Sequence, residues 1–144
     1  MSREIHEIIV HCTATPEGRE MTVKQIDDIH RTQNKWCCIG YHKVIYLDGT
    51  IHDGRPIDMV GAHCSEDGHN RHSIGIVYVG GCAKDGKTPK DTRTPEQKVA
   101  LANILEELHK TGLQSEEERS PSSLQPLQRL PCPLHLCQEI MSVV

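Results

Sequence analysis

Three observations predict an α/β fold, with a mixed central β-sheet flanked by helices. Short apolar runs alternate with amphipathic stretches along the chain, two of those stretches open on capping residues, and one pair of runs is joined by Asp48-Gly49, a hairpin signal.

The first element is a strand: Ile5 to Val10 has the apolar density of one, and Thr13 to Glu20, with Pro16 and Gly18, is turn-rich. Thr22 is placed to cap a helix whose Val23, Ile26, Ile29 and His30 fall on one face. Tyr41 to Leu47 is the next strand, returning through Asp48-Gly49 into Thr50-Ile51-His52. A loop with three histidines spans Met59 to His72, and Ser73 to Val79 is a buried central strand closed by Gly80-Gly81. After a polar loop from Lys84 to Arg93, Thr94 caps a helix with Pro95 in its first position and Glu96 or Gln97 in its first turn. That helix is expected to reach about Lys110, with an apolar stripe of Leu101, Leu105 and Leu108.

At 144 residues the length predicts one domain. Aromatic residues make up 3% and Phe is absent, so aliphatic side chains must fill the core. A net charge of −4, with no local basic patch, argues against a nucleic-acid partner. No apolar run approaches the ~18 residues of a membrane span. The charged start, Met-Ser-Arg-Glu-Ile-His, opens no signal peptide, so the expected location is cytoplasmic. Seven cysteines, an odd count with two adjacent, point to reduced thiols rather than a disulfide framework.

His11 sits at the end of the first expected strand, which would fix its direction toward a metal. The residue alone stays open between a ligand and a structural or solvated histidine. The order of motifs is more specific. Val10-His11-Cys12-Thr13-Ala14-Thr15 precedes Gly40-Tyr41-His42-Lys43-Val44-Ile45, then Gly61-Ala62-His63, Asn70, and Ser73-Ile74-Gly75-Ile76 with Gly80-Gly81. This series resembles the phage-lysozyme type of N-acetylmuramoyl-L-alanine amidase, whose fold peptidoglycan recognition proteins share. The resemblance spans residues 4 to 110.

It implies zinc-dependent hydrolysis of the amide between N-acetylmuramic acid and L-alanine of peptidoglycan. His11 matches the first zinc ligand. Tyr41 matches the tyrosine that stabilises the tetrahedral intermediate or handles its proton. His63 matches a groove histidine near the substrate, and Asn70 a residue of the loop bordering that groove. Read without the resemblance, Tyr41 is equally a packed strand tyrosine and His63 a solvated loop residue. Such an enzyme would reach the cell wall after release or export by another system.

The family draws its other two zinc ligands and a lysine from a C-terminal segment resembling His-His-x-x-x-Pro-Lys-x-Cys-Pro. Nothing after Lys110 matches it, so the zinc site is incomplete in this sequence. Cys132, His135 and Cys137 offer donors on a different spacing. The chain therefore divides into an amidase-like domain, 1–110, and an irregular tail, 111–144. The composition of Gln114 to Pro126 predicts no ordered core there. Codons permitted for Gly112 to Ile140, read one nucleotide later, can restore a lysine two before a Cys-Pro pair, compatible with a frameshift near Thr111. The missing ligands would impair the amidase. They leave as alternatives a non-catalytic peptidoglycan or muropeptide-binding module, and a scaffold that neither binds zinc nor acts.

Overall fold

The structure, a computed structural model, describes residues 4–5, 7–64, 66–110 and 138–139. Its centre is a pair of parallel strands, β1 (Glu7–Cys12) and β5 (Ser73–Tyr78), that run side by side from Glu7 opposite Ser73 to Cys12 opposite Tyr78. Both are apolar almost without interruption, as strands covered on two faces must be. On the far side of β5 lies β3 (Lys43–Ile45), also parallel, with β4 (Ile51–Asp53) folded back against it. The expected hairpin is present: Gly49 takes the left-handed φ of 84° that its turn requires. The strand before it is shorter than the apolar run suggests, because Tyr41 and His42 form an irregular lead-in. The Tyr41 carbonyl accepts from Arg55 N–H at 2.8 Å rather than from a ladder partner.

Three two-residue strands lie where none was expected. Thr15–Pro16 (β2) pairs with Gly81–Cys82 (β6) in a separate two-stranded ladder. Gln138–Glu139 (β7) runs antiparallel to β1, His11 opposite Gln138, and gives the main sheet the order β4-β3-β5-β1-β7. The rest of the expected tail, with Cys132, His135 and Cys137, lies outside the described residues.

The two α-helices of the described residues lie on opposite faces of the sheet. The first, α1 (Val23–Thr32), starts with a full capping box. Gln25 N–H donates to Thr22 Oγ1 at 3.2 Å, and Thr22 N–H donates to Gln25 Oε1 at 2.9 Å. Replacing Thr22 with Ala is expected to cost about 1 kcal/mol. Urea denaturation should show the lower midpoint with an unchanged m-value. The longer helix, α2 (Pro95–Lys110), buries Ala100, Leu101, Ile104 and Leu108 against Ile8, Val10, Ile74 and Ile76. On the opposite face Ile26 of α1 packs with Ile39, Val44, Val77 and Val79.

Side-chain alternation along β1 divides its residues between these two faces. Ile8, Val10 and Cys12 point to α2, so Ile9 and His11 must point the other way.

Candidate active site

That second face is where the histidines meet. His11 is the penultimate residue of β1 and fully buried, so it lies within the strand rather than emerging from its end. In the neighbouring strand Gly75 stands beside Ile9. A Cβ on Gly75 would come within 2.5 Å of the His63 ring, so the missing side chain is the space that ring fills. His63 is brought there by the loop ahead of a 3-10 turn, Glu66–Arg71. Asn70, within that turn, braces the loop: its Oδ1 accepts from the backbone N–H groups of His63 at 2.9 Å and Cys64 at 2.8 Å.

The result is a hydrogen-bonded chain of side chains. His11 Nε2 lies 3.0 Å from His63 Nδ1, and His63 Nε2 lies 3.2 Å from Ser73 Oγ. Tyr41 completes the cluster, with its ring centre 5.3 Å from that of His11 and 6.4 Å from that of His63. Among the described residues, one buried side-chain nitrogen or oxygen has no hydrogen-bond partner, His11 Nδ1. That atom sets the tautomers. A buried lone pair costs less than a buried orphan N–H. His11 therefore donates through Nε2 to His63, and His63 donates through Nε2 to Ser73. Burial also drives the His11 pKa down to about 3, which keeps the ring neutral.

A neutral imidazole with its second nitrogen held by a hydrogen bond and a free, buried lone pair is the form that ligates a metal. His11 Nδ1 thus fits one ligand position. A catalytic zinc requires three protein ligands. Among the described residues, no group of three or more His, Cys, Asp or Glu side chains converges to hold a metal.

The other nearby histidines are structural. His42, whose ring centre lies 5.7 Å from that of His63, spends both nitrogens on backbone: Gly75 N–H donates to its Nδ1 at 3.0 Å, and its Nε2 lies 2.9 Å from the Met59 carbonyl. His30 accepts from Gly40 N–H at 3.0 Å and packs between Trp36 and Tyr41, backing the site. Burial lowers the His30 pKa, and Asp27 only partly offsets this. The folded state therefore takes up this proton less readily than the unfolded chain. The stabilisation is present above the ordinary histidine pKa of ~6.5 and is lost as pH falls below it. A thermal melt should move to lower temperature between neutral pH and the acid side of that value. Substituting His30 with Gln should reduce the dependence, leaving the part contributed by buried His11.

The structure thus brings His11, Tyr41 and His63 together, and sets Asn70 behind them as a brace on the loop. Sequence reasoning missed the roles of Ser73 and Gly75. The available signal was a glycine inside an otherwise continuous apolar strand, which marks close approach by another group.

Comparison with known proteins gives the family and the fold. The family model described as N-acetylmuramoyl-L-alanine amidase matches residues 1–129. The chain belongs to the N-acetylmuramoyl-L-alanine amidase family. Among relatives, the endolysin of Enterobacteria phage K11 is 38% identical over 109 residues, covering 76% of this chain and 70% of that protein. The endolysin of Klebsiella phage KP32 is 40% identical over 106 residues, covering 74% and 68%. Among solved structures, the amidase LysC from Clostridium intestinale URNW superposes with a TM-score of 0.63 at 33% identity, covering 76% of this chain. The match spans just under two thirds of LysC itself, 65%. Drosophila PGRP-LB shares the fold, with a TM-score of 0.64 at 24% identity over 78% of this chain and 65% of that one. Like the sequence, the described residues of this amidase-family chain contain no helix long and apolar enough to cross a membrane.

Proposed function

We propose that this chain is a peptidoglycan amidase that hydrolyses the bond between N-acetylmuramic acid and L-alanine. The observation that carries the proposal is the unpartnered, buried Nδ1 of His11, held toward one ligand position by His63 and Ser73 beside Tyr41. Family membership supplies the reaction class. In this reading His11 holds zinc through Nδ1. Zinc bound there would supply Lewis-acid chemistry toward the scissile carbonyl and water. The protein's own part is positional. Ser73 and His63 fix the His11 ring, Asn70 fixes the loop that carries His63, and Tyr41 offers a phenol to the reacting carbonyl or its proton. His63 and Asn70 border the groove for the substrate. The remaining ligands would come from beyond Lys110, where Gln138 and Glu139 pair with His11 and Val10.

A second reading is favoured by one observation, that three donors do not converge among the described residues. The chain would then hold muropeptide without cutting it. A solved structure at 27% identity and a TM-score of 0.62 is of tracheal cytotoxin bound to the peptidoglycan recognition proteins LCa and LCx.

The two readings separate on metal content and turnover. The amidase should retain one equivalent of zinc through dialysis, and should release new amino groups from purified peptidoglycan in a manner abolished by chelation and restored by zinc. Peptidoglycan co-sedimentation with no retained zinc and no amino-group release would establish the binding module in its place.

A further inference from the structure

Cys37 and Cys38 stand outside the site, in the segment between α1 and Tyr41. Cys37 is exposed and Cys38 half-buried, both are free thiols, and their Sγ atoms are 3.5 Å apart. The Arg55 guanidinium lies at their side, with Nη2 4.0 Å from Cys37 Sγ and 3.3 Å from the Cys38 carbonyl oxygen to which it donates. The arrangement sets two adjacent sulfurs, one of them open to solvent, beside a guanidinium.

We propose that Cys37–Cys38 is a dithiol modification site, at which a low-molecular-weight disulfide such as oxidised glutathione closes a bridge between the two adjacent cysteines. The Cys37 thiolate attacks one sulfur of the oxidant, forming a mixed disulfide and expelling one glutathione thiolate. The Cys38 thiolate then attacks the Cys37 sulfur and expels the second. Two protein thiols are oxidised, one glutathione disulfide is reduced to two glutathione thiols, and the two protons pass to those products. Burial and the neighbouring Cys37 push the Cys38 thiol pKa up, so the exposed cysteine is the one that attacks first.

The bridge would be strained. Adjacent Cα atoms across a trans peptide are ~3.8 Å apart, whereas disulfide-linked Cα atoms prefer about 4.4–6.8 Å. A strained bond is more easily reduced, which makes this a reversible site. The strain also has few places to go. The Ile39 carbonyl accepts from Arg55 Nε at 2.9 Å, Ile39 N–H donates to Asp27 Oδ1 at 2.7 Å, and Gly40 N–H donates to His30. The pair is therefore coupled through two tethered residues to Tyr41, while the bond itself can be read without any assay of activity.

The test uses the full chain treated with oxidised glutathione, alkylated at low pH and digested with trypsin without reduction. Cleavage after Lys35 and Lys43 isolates Trp36 to Lys43, whose only cysteines are these two. The expected product is that peptide lighter by two hydrogen atoms, restored to the dithiol by reduced glutathione. The Cys38→Ser variant lacks the resolving thiol and should instead retain the glutathione adduct on Cys37, at a level about tenfold above the unsubstituted chain. An unmodified peptide, or an equal and stable adduct in both proteins, would overturn the proposal.

Discussion

Replacing Gly75 with Ala should both destabilise the protein and displace His63 from His11. The new methyl would meet the His63 ring at 2.5 Å, inside any real carbon–carbon contact. Gly75 sits in the central strand β5, and its N–H also holds His42, so the backbone has little freedom to retreat. Overpacking of this kind costs about 1–3 kcal/mol. The ring is the softer partner, and its movement would break the 3.0 Å contact that fixes the His11 tautomer. A double-mutant cycle with His63→Ala identifies the cause. Removing the ring makes room for the methyl, so the two substitutions should be strongly non-additive. Additive losses in denaturant titrations would place the clash elsewhere.

Gln97→Ala is expected to be at least as damaging, although Gln97 lies far from the histidines in sequence and on the other helix. Its side chain is 1% exposed. Its Nε2 donates to the Val79 carbonyl at 3.0 Å and toward the Ile45 carbonyl at 3.4 Å, joining the ends of two parallel strands to the start of α2. Its Oε1 accepts from Thr94 N–H at 2.9 Å, one half of that helix's capping box. Truncation removes the donor to the buried Val79 carbonyl, at about 1–3 kcal/mol, whereas the Ile45 carbonyl keeps the Val79 N–H at 3.0 Å. Gln97→Glu isolates the donor. It preserves volume and the cap acceptor but sets carboxylate oxygens against two carbonyls. It should be as unstable as the Ala variant at neutral pH and regain stability on acidification, when a neutral carboxyl can donate again. Equal, pH-independent stability of Gln97→Glu and the parent would show that the donor is unimportant.

The residues that shape these predictions differ in how legible they were. Both helix caps, Thr22 and Thr94, could be read directly, because the chemistry of a helix start is local. β5 and its burial were equally plain in Ser73 to Val79, since an uninterrupted apolar run of that length has few other uses. β2 and β6 were not, because two residues carry no period. Ile104 was passed over in the α2 stripe although it is buried, while Leu105, included in it, packs only at the margin. In the site, motif order singled out His11, Tyr41 and His63, but not the hydrogen bond between His11 and His63. That contact depends on β1 lying next to β5 and on the space above Gly75, both properties of the sheet rather than of any short segment. His42 looked like one histidine among ten until both its nitrogens were found bound to backbone.

The short strand β7 has a consequence for solution behaviour. It covers part of the outer side of β1, a strand whose residues from Ile8 onward are all buried. Without that cover, a row of main-chain donors and acceptors on an intensely apolar ribbon would face solvent, and such a border recruits further chains by strand addition. Gln138 and Glu139 thus act as a guard against self-templated aggregation. Shortening the chain before Gln138 would make precipitation, rather than unfolding, the first visible fault.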